Sequence, residues 1–529
     1  MFWVDRIFEQ IQDSLKDKIA SGEPLLIRDE KTASGRVHVG SLRALALHGA
    51  IADRFSEAGI PHIFKYEIND FDVMDGLPVY LPEDTYRQHL GKLLCYVPSP
   101  DSTKAKNFAD YYGGEYREVI EEIGYHPEFY HSTELYLSGK MNDSIRRTLE
   151  RADIIRRIYK QVSGSDRPAT WYPLSVICEQ CGKASTTRVS GFDGKEVTYT
   201  CEPHVVEWTE GCGHQGHVSP FDGRAKLPWK VEWAAKWVVL GVDVEGGGKD
   251  HYSKGGARDV ADHIAREVFE YEPPFGVPNE FFLVGGQKMS SSKGRGSSAR
   301  EVADLVPPYI LRLALLGRDI SKQVNFDPTG DTIPMLFDQY DKIAESFWQK
   351  KEDDDSRLFA FVHPQGEPRL LRQRFLPRFS LVAFLVQMPH LSLASEVERM
   401  KGSALTDADK EELQLRAEYA RRWLDIADEQ YRFQLRTDQV PVAVRSLSQK
   451  QKAALHDVLT YIQAHAMLDG QELHTELHEI KKRHELSPAD FFGALYQSFL
   501  GKPSGPKAGW FLSVLERDFL ISRLTAVAE

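Results

Sequence analysis

Thr32–Gly49, TASGRVHVGSLRALALHG, sets His38 just ahead of Gly40 and Ser41 at the mouth of an apolar helical run. Backbone N–H groups at a helix start attract phosphate, and a glycine there lets it approach closely. An imidazole beside them can add a donor as charge builds on a phosphate oxygen. A second stretch, Gly285–Ser298, GGQKMSSSKGRGSS, holds Lys288 and Lys293 with three serines between them. A glycine-flanked loop of this make-up can fold over a triphosphate and offer cationic donors to a departing pyrophosphate. A third pattern is sulfur: Cys178-x-x-Cys181, then Cys201 and Cys212, with His204 and His214 close by. Two thiolate pairs suit tetrahedral Zn2+, so structural zinc is expected on Cys178, Cys181, Cys201 and Cys212. Cys201 and Cys212 stand further apart than the roughly two to four residues usual in such a pair. His204 or His214 therefore stays open as a substitute ligand.

These residues need elements to hold them. PLLIRDE, Pro24–Glu30, reads as a buried strand, and a turn with Ser34 and Gly35 follows. A helix is expected from Val39 to Ala58, apolar on more than one side and stopped by Gly59 and Pro61. HIFKYEI then reads as a second strand. Strand, helix, strand is a βαβ unit, which implies a parallel sheet and an α/β fold. The segment from Pro98 to Ser219 looks inserted, with STELYLSGKMNDSIRRTLERADIIRRIYKQV helical and the cysteines after it. KVEWAAKWVVLGVDVEGGGKDH and VPNEFFLVGG return to strand and loop character. Beyond Gln349 helical patterns dominate, KEDDDS at 351–356 reads as a solvated linker, and Ser487-Pro488-Ala489-Asp490 is a good helix start.

Composition narrows the classes. A chain of 529 residues exceeds one hydrophobic core, so about three or four domains are expected. No apolar run approaches ~18 residues, so no membrane span is expected. The mixed charge of Met1–Ile19 argues against a secretory signal, which makes the cytoplasm the expected location. A net charge of −12 argues against indiscriminate coating of nucleic acid, though not against a local basic groove.

HVGS after the first strand and KMSSSKG in the second stretch resemble the HIGH and KMSKS signatures of class I aminoacyl-tRNA synthetases. TASGRVHVG, KLPWKVEWAAKW, GVDVEGGGKDHYSKGGARD and GQKMSSSKG resemble, in the same order, the lysyl branch of that family. The resemblance implies a Rossmann-like catalytic domain that activates lysine with ATP and Mg2+ and then charges tRNA-Lys. It also implies a monomer. Ser41 replaces the last signature residue, Ser291 replaces the second lysine of KMSKS, Asn279 stands where a tyrosine is common, and Glu30 where glycine is common. The implied catalytic residues are His38, Lys288 and Lys293, with Ser34, Gly35, Gly40, Ser41, Met289, Ser290 and Ser292 also at ATP. The implied division is 1–97 and 220–287 as two halves of the catalytic domain, and 98–219 as a connective insertion with a zinc-ribbon-like segment. Residues 288–348 are then the KMSKS loop and stem-contact region, and 349–529 an all-helical anticodon-binding domain.

A lysine pocket needs an acceptor for the ammonium and gains from an aromatic face. Glu30, Thr32, Asp70, Trp229, Trp233, Asp250 and His251 are the candidates, with Asp29 and Asp72 as further acids. Arg28, ten residues before His38, is the feature that a glutamyl enzyme would use for a substrate carboxylate. A small nucleotidyltransferase shares the HIGH-type fold but would lack the cysteine-bearing insertion and the long helical tail. An inactive synthetase paralogue that binds RNA is compatible with the altered signature positions. Arg421-Arg422-Trp423, Tyr431-Arg432-Phe433, Lys481-Lys482-Arg483 and Lys502–Lys507 offer charge and rings to single-stranded bases.

Overall fold

The structure, a computed structural model, describes residues 1–286, 297–365, 367–388, 391–437 and 439–528. Strand β1 (Leu25–Thr32) is buried from Leu25 to Asp29. Helix α1 (Ser41–Glu57) follows, then strand β2 (His62–Asn69), in parallel register with β1 from Leu25↔His62 to Thr32↔Asn69. Gly59, at φ +67, turns the chain out of α1 in a conformation that a side chain would resist. Gly49 serves packing: a Cβ there would lie 2.3 Å from the Tyr125 ring.

Strand β3 (Glu128–His131) comes from the segment read as an insertion and pairs parallel with β2. Helix α2 (Ala152–Ser163) is the last of three pieces, after Ser132–Leu137 and Asn142–Glu150, into which the expected long helical stretch breaks. Residues 229–240 correct the expected strand and loop: they form helix α3 (Trp229–Leu240), begun after Pro228 and stopped by left-handed Gly241. Strands β4 (Val244–Gly248) and β5 (Phe275–Asn279) complete a parallel sheet of order β5-β4-β1-β2-β3. The order reverses between β1 and β4, where open α/β sheets bind ligands at the strands' carboxyl ends.

Cys201 ends the middle strand of a three-stranded antiparallel sheet of Thr187–Phe192, Val197–Cys201 and Gln215–Val218, and Cys178, Cys181 and Cys212 lie in loops outside its strands. The expected linker at 351–356 is instead a helix start, because Asp353 caps Asp354–Phe361 through the N–H of Ser356. The chain forms two compact units, Met1–Asp327 with Lys342–Arg372, and Pro328–Asp341 with Gln373–Glu529. The second is helical, and Ser487 caps Pro488–Leu500 as its sequence predicts. Among the described residues no helix is long and apolar enough to cross a membrane.

Candidate active site

At the switch point a cavity of about 300 Å3 opens over the ends of β1 and β4. His38, Gly40 and Ser41 line one part of it. Trp229, Trp233, Asp250 and His251 line another, with Asp29, Glu30 and Glu245 in the wall. Most of these residues stand out in the sequence, although His38 and Asp250 lie far apart along the chain and meet only through the fold. Ser34, Gly35, Thr32 and Asp70 are not among the lining residues. Thr32 donates its hydroxyl to Asp72 at 2.7 Å, and Asp70 accepts the N–H of Thr133 at 2.9 Å, steadying the start of helix Ser132–Leu137.

The turn holding His38 is itself held by backbone pairing. Val39 N–H donates to the Ser297 carbonyl at 3.1 Å, and Ala299 N–H donates to the Val37 carbonyl at 2.7 Å. Phe282, shortly before the lysine-serine stretch, lines the cavity. Both flanks of that stretch thus adjoin the site. Lys288, Met289, Ser290, Ser292 and Lys293 themselves lie outside the described residues.

The aromatic wall is a consequence of helical spacing. Trp229, Trp233 and Trp237 recur every fourth residue on α3, so their rings share one face: Trp229 stacks on Trp233 at 5.9 Å between centroids, and Trp237 meets Trp233 tilted at 5.5 Å. His251 meets Trp229 at 5.5 Å and Trp233 at 5.9 Å. The Trp233 Nε1–H, buried in this wall, has no hydrogen-bond partner among the described residues.

Beneath the wall runs a buried ionic network that no local pattern in the sequence announces. Arg28 pairs with Glu30, Glu67 and Glu245, and Lys236 with Glu30, Glu67 and Glu232. Lys226 pairs with Glu232 and, at 2.9 Å, with Asp72. Five carboxylates therefore meet three cations in this buried network, which reaches the cavity through Glu30 and Glu245; Asp29, Asp250 and a single cation, Lys31, complete the charged part of the lining. Burial works against ionisation of Glu67, but Lys236 and Arg28 outweigh it and hold the carboxyl well below the usual range. Glu30 and Glu245 both reach the cavity, and Glu30 is the more open, its side chain about one-third exposed. Arg28 is fully buried, with Nε on Tyr130 and both other nitrogens on carboxylates, so it offers no face to a substrate carboxylate.

His48, on α1, is a site residue that sequence reading missed. Its Nε2 accepts the Gly246 N–H at 2.7 Å, which fixes the first glycine of the Gly246–Gly248 cavity rim. Glu245, Phe281 and Phe282 are lining residues missed in the same way, because each reaches the cavity only through strand order.

The four cysteines converge. Their Sγ atoms all lie within 4.8 Å of one another, with Cys178–Cys212 at 3.6 Å and Cys181–Cys201 at 3.7 Å. A tetrahedron of thiolates with ~2.3 Å Zn–S bonds has edges of about 3.8 Å, so the donor set fits zinc. The long separation of the second pair is absorbed by a loop closed at its base, where Cys201 N–H donates to His214 O and Gly213 N–H to Cys201 O, both at 2.8 Å. His204 and His214 are not in the cluster, and His214 lies beside the Tyr199 ring instead.

A parallel sheet with this cleft at its switch point is the frame of a class I synthetase, and the chain belongs to that class: the family model for tRNA synthetases class I (K) matches residues 1–365. Within it the chain is similar to the lysine–tRNA ligase of Methanosarcina barkeri, with 32% identity over 98% of this chain and 96% of that protein. The lysine–tRNA ligase of Archaeoglobus fulgidus is 29% identical over 99% of this chain and all of its own length, 100%. A solved glutamate tRNA ligase from Elizabethkingia meningosepticum is 12% identical, covers 96% of this chain and 99% of its own, and has a TM-score of 0.39.

Proposed function

We propose that the chain is a lysine–tRNA ligase that activates lysine with ATP, releasing pyrophosphate, and passes the lysyl group to tRNA-Lys. The observation that carries this reading is the cavity lining: Asp29, Glu30, Glu245 and Asp250 against one lysine, Lys31, with two stacked indoles and His38 in the same wall. Surplus negative charge in a low-dielectric wall favours an ammonium and opposes a carboxylate side chain. Glu30 takes the lysine ammonium, and Trp229 and Trp233 flank its aliphatic stem. Asp250 and His251 close the amino-acid end. The same surplus, with Arg28 fully engaged, disfavours glutamate as the substrate.

No protein nucleophile is needed, because the lysine carboxylate attacks the α-phosphorus of ATP. The chain supplies position and charge relief. His38 and the helix start at Gly40 and Ser41 hold phosphate oxygens, and Lys288 and Lys293 face the β- and γ-phosphates. Mg2+, when bound with ATP, offsets phosphate charge. Zinc on Cys178, Cys181, Cys201 and Cys212 holds the antiparallel sheet as a structural ion.

The helical unit contacts the anticodon. In support, it contains a cavity of about 690 Å3 lined by Phe384, Trp423, Tyr431, Phe433, Lys507 and Trp510 among others. Rings interleaved with cations suit unstacked bases. The test is ATP–pyrophosphate exchange and tRNA charging with each amino acid in turn, with tRNA present throughout. Lysine alone should support both. Exchange driven by glutamate, or charging by no amino acid, would overturn the reading.

A further inference from the structure

Beside the cavity, on the same unit, Lys230, Arg167 and Trp171 form a strip, seated on the buried ring of Tyr159, that the activation of lysine leaves unused. It starts at the cavity lip with Trp229, whose side chain is 47% exposed. The next residue, Lys230, sets its Nζ over the ring of Tyr159 on α2, 5.8 Å from the centroid. Arg167, in the loop after α2, lies over the same ring at 5.6 Å and over Trp171 at 5.2 Å. Tyr159 and Trp171 meet edge to face at 5.7 Å. Arg156 pins Trp171 in place by donating to its carbonyl at 2.8 Å. The loop at Gly255, φ +74, packs so closely on the end of α2 that a Cβ would come within 2.8 Å of the Val162 carbonyl.

Charge makes the strip unusual. Neither Arg167 nor Lys230 has a carboxylate partner among the described residues, in a chain where acids outnumber bases by twelve. The neighbouring acid, Asp166, pairs with Lys160 at 3.1 Å instead. Two like charges gathered on one ring repel each other, so the arrangement is complete only with an anion between or above them. Burial and the nearby Arg167 both push the Lys230 ammonium below its ordinary pKa, as expected for a cation awaiting a partner.

We infer that Lys230, Arg167 and Trp171, leading to Trp229 at the cavity lip and seated on the buried Tyr159, form a track for the single-stranded 3′ end of the tRNA as it approaches the cavity. The inference rests on the ligase reading. Cations spaced between ring faces match a strand in which phosphates alternate with bases, and that combination is how single strands are held. The triphosphate of ATP would use the cations and leave the rings idle.

The test is equilibrium binding of the full-length protein to tRNA-Lys, intact or lacking its last four nucleotides. The wild-type chain should prefer the intact RNA on the order of tenfold. The Arg167→Gln/Lys230→Gln double variant should bind both RNAs alike, at the wild type's level for the shortened one, with the KM for ATP unchanged. Trp171→Ala should do the same through the ring rather than the charge. Equal losses for the two RNAs, or a retained preference in both variants, would overturn the track, as would a raised KM for ATP with the preference intact. A wild-type chain that does not charge tRNA-Lys at all would instead overturn the ligase reading, so the two failures are distinguishable.

Discussion

At the scale of single residues the site is a contest between an imidazole's donors and a carboxylate's charge, and each can be removed separately. His38 sits on a turn held by the Val37–Val39 pairing with Ser297–Ala299, which is backbone-only. His38→Ala should therefore leave the fold intact and lower adenylate formation by about 10²–10³, the usual cost of one lost transition-state donor. Exchange assays with tRNA present, alongside a melting curve, check this, and near-normal turnover in a folded variant would remove His38 from the reaction. Glu30→Gln keeps shape and drops one negative charge. A charge-assisted hydrogen bond is worth about 1.5–3 kcal/mol, so the KM for lysine should rise by about ten- to a hundredfold while the KM for ATP stays put. Steady-state kinetics in each substrate separates the two. His38, Glu30, Trp229, Trp233, Asp250 and His251 are readable from the chain because each stands in a motif or at a spacing with a mechanism. Asp70 and Thr32 lie outside the cavity lining, because an acid or hydroxyl after a strand is as useful for local hydrogen bonding, here with Thr133 and Asp72.

At the scale of elements, β1, α1 and β2 are legible because an apolar strand, a turn and a Gly-Pro stop follow in order. α3 is not, since its middle, Val231–Trp237, is buried all round and shows no amphipathic stripe. Its charges make sense only against Glu67, distant in sequence and adjacent in the sheet. That pairing has a pH signature. Glu67 is depressed in the folded state, so its stabilising contribution is full above the unfolded carboxylate pKa of about 4.3 and is lost as pH falls through the folded value. Lys236→Met removes the main opposing charge and should cost about 3–5 kcal/mol at neutral pH. The cost should shrink below about pH 4, as the orphaned carboxyl takes up a proton. Urea unfolding at the two pH values decides, and a pH-independent cost would point to packing rather than charge. The zinc proposed for Cys178, Cys181, Cys201 and Cys212 would hold the antiparallel sheet beside them in a similar way. Chelation, or Cys181→Ser, should release bound zinc and speed amide exchange across 187–218 while β1 to β5 stay protected. Exchange read by mass spectrometry shows whether the loss is local.

For the whole molecule the central fact is that a chain of net charge −12 must hold a polyanion. Attraction cannot come from the overall field, so it falls to a few local cations where acids have been kept away. Two of the four basic clusters of the helical unit are paired with acids on their own helices: Arg422 with Glu418, and Lys482 with Glu479 and Arg483 with Glu476. Lys507 differs. It lines the aromatic cavity and sets its Nζ over Trp510 at 4.1 Å, and Trp423 in the same wall keeps a buried Nε1–H without a partner among the described residues. If this cavity holds an anticodon base with its phosphate against Lys507, one counterion is released there on binding. Lys507→Ala should then flatten the dependence of log K on log salt by about 1 for tRNA-Lys, leaving the KM for lysine unchanged. Affinities measured between about 50 and 200 mM salt give the slope directly. A slope equal to that of the wild type would take the anticodon away from this cavity, and with it the reason for a cation over an indole in so acidic a protein.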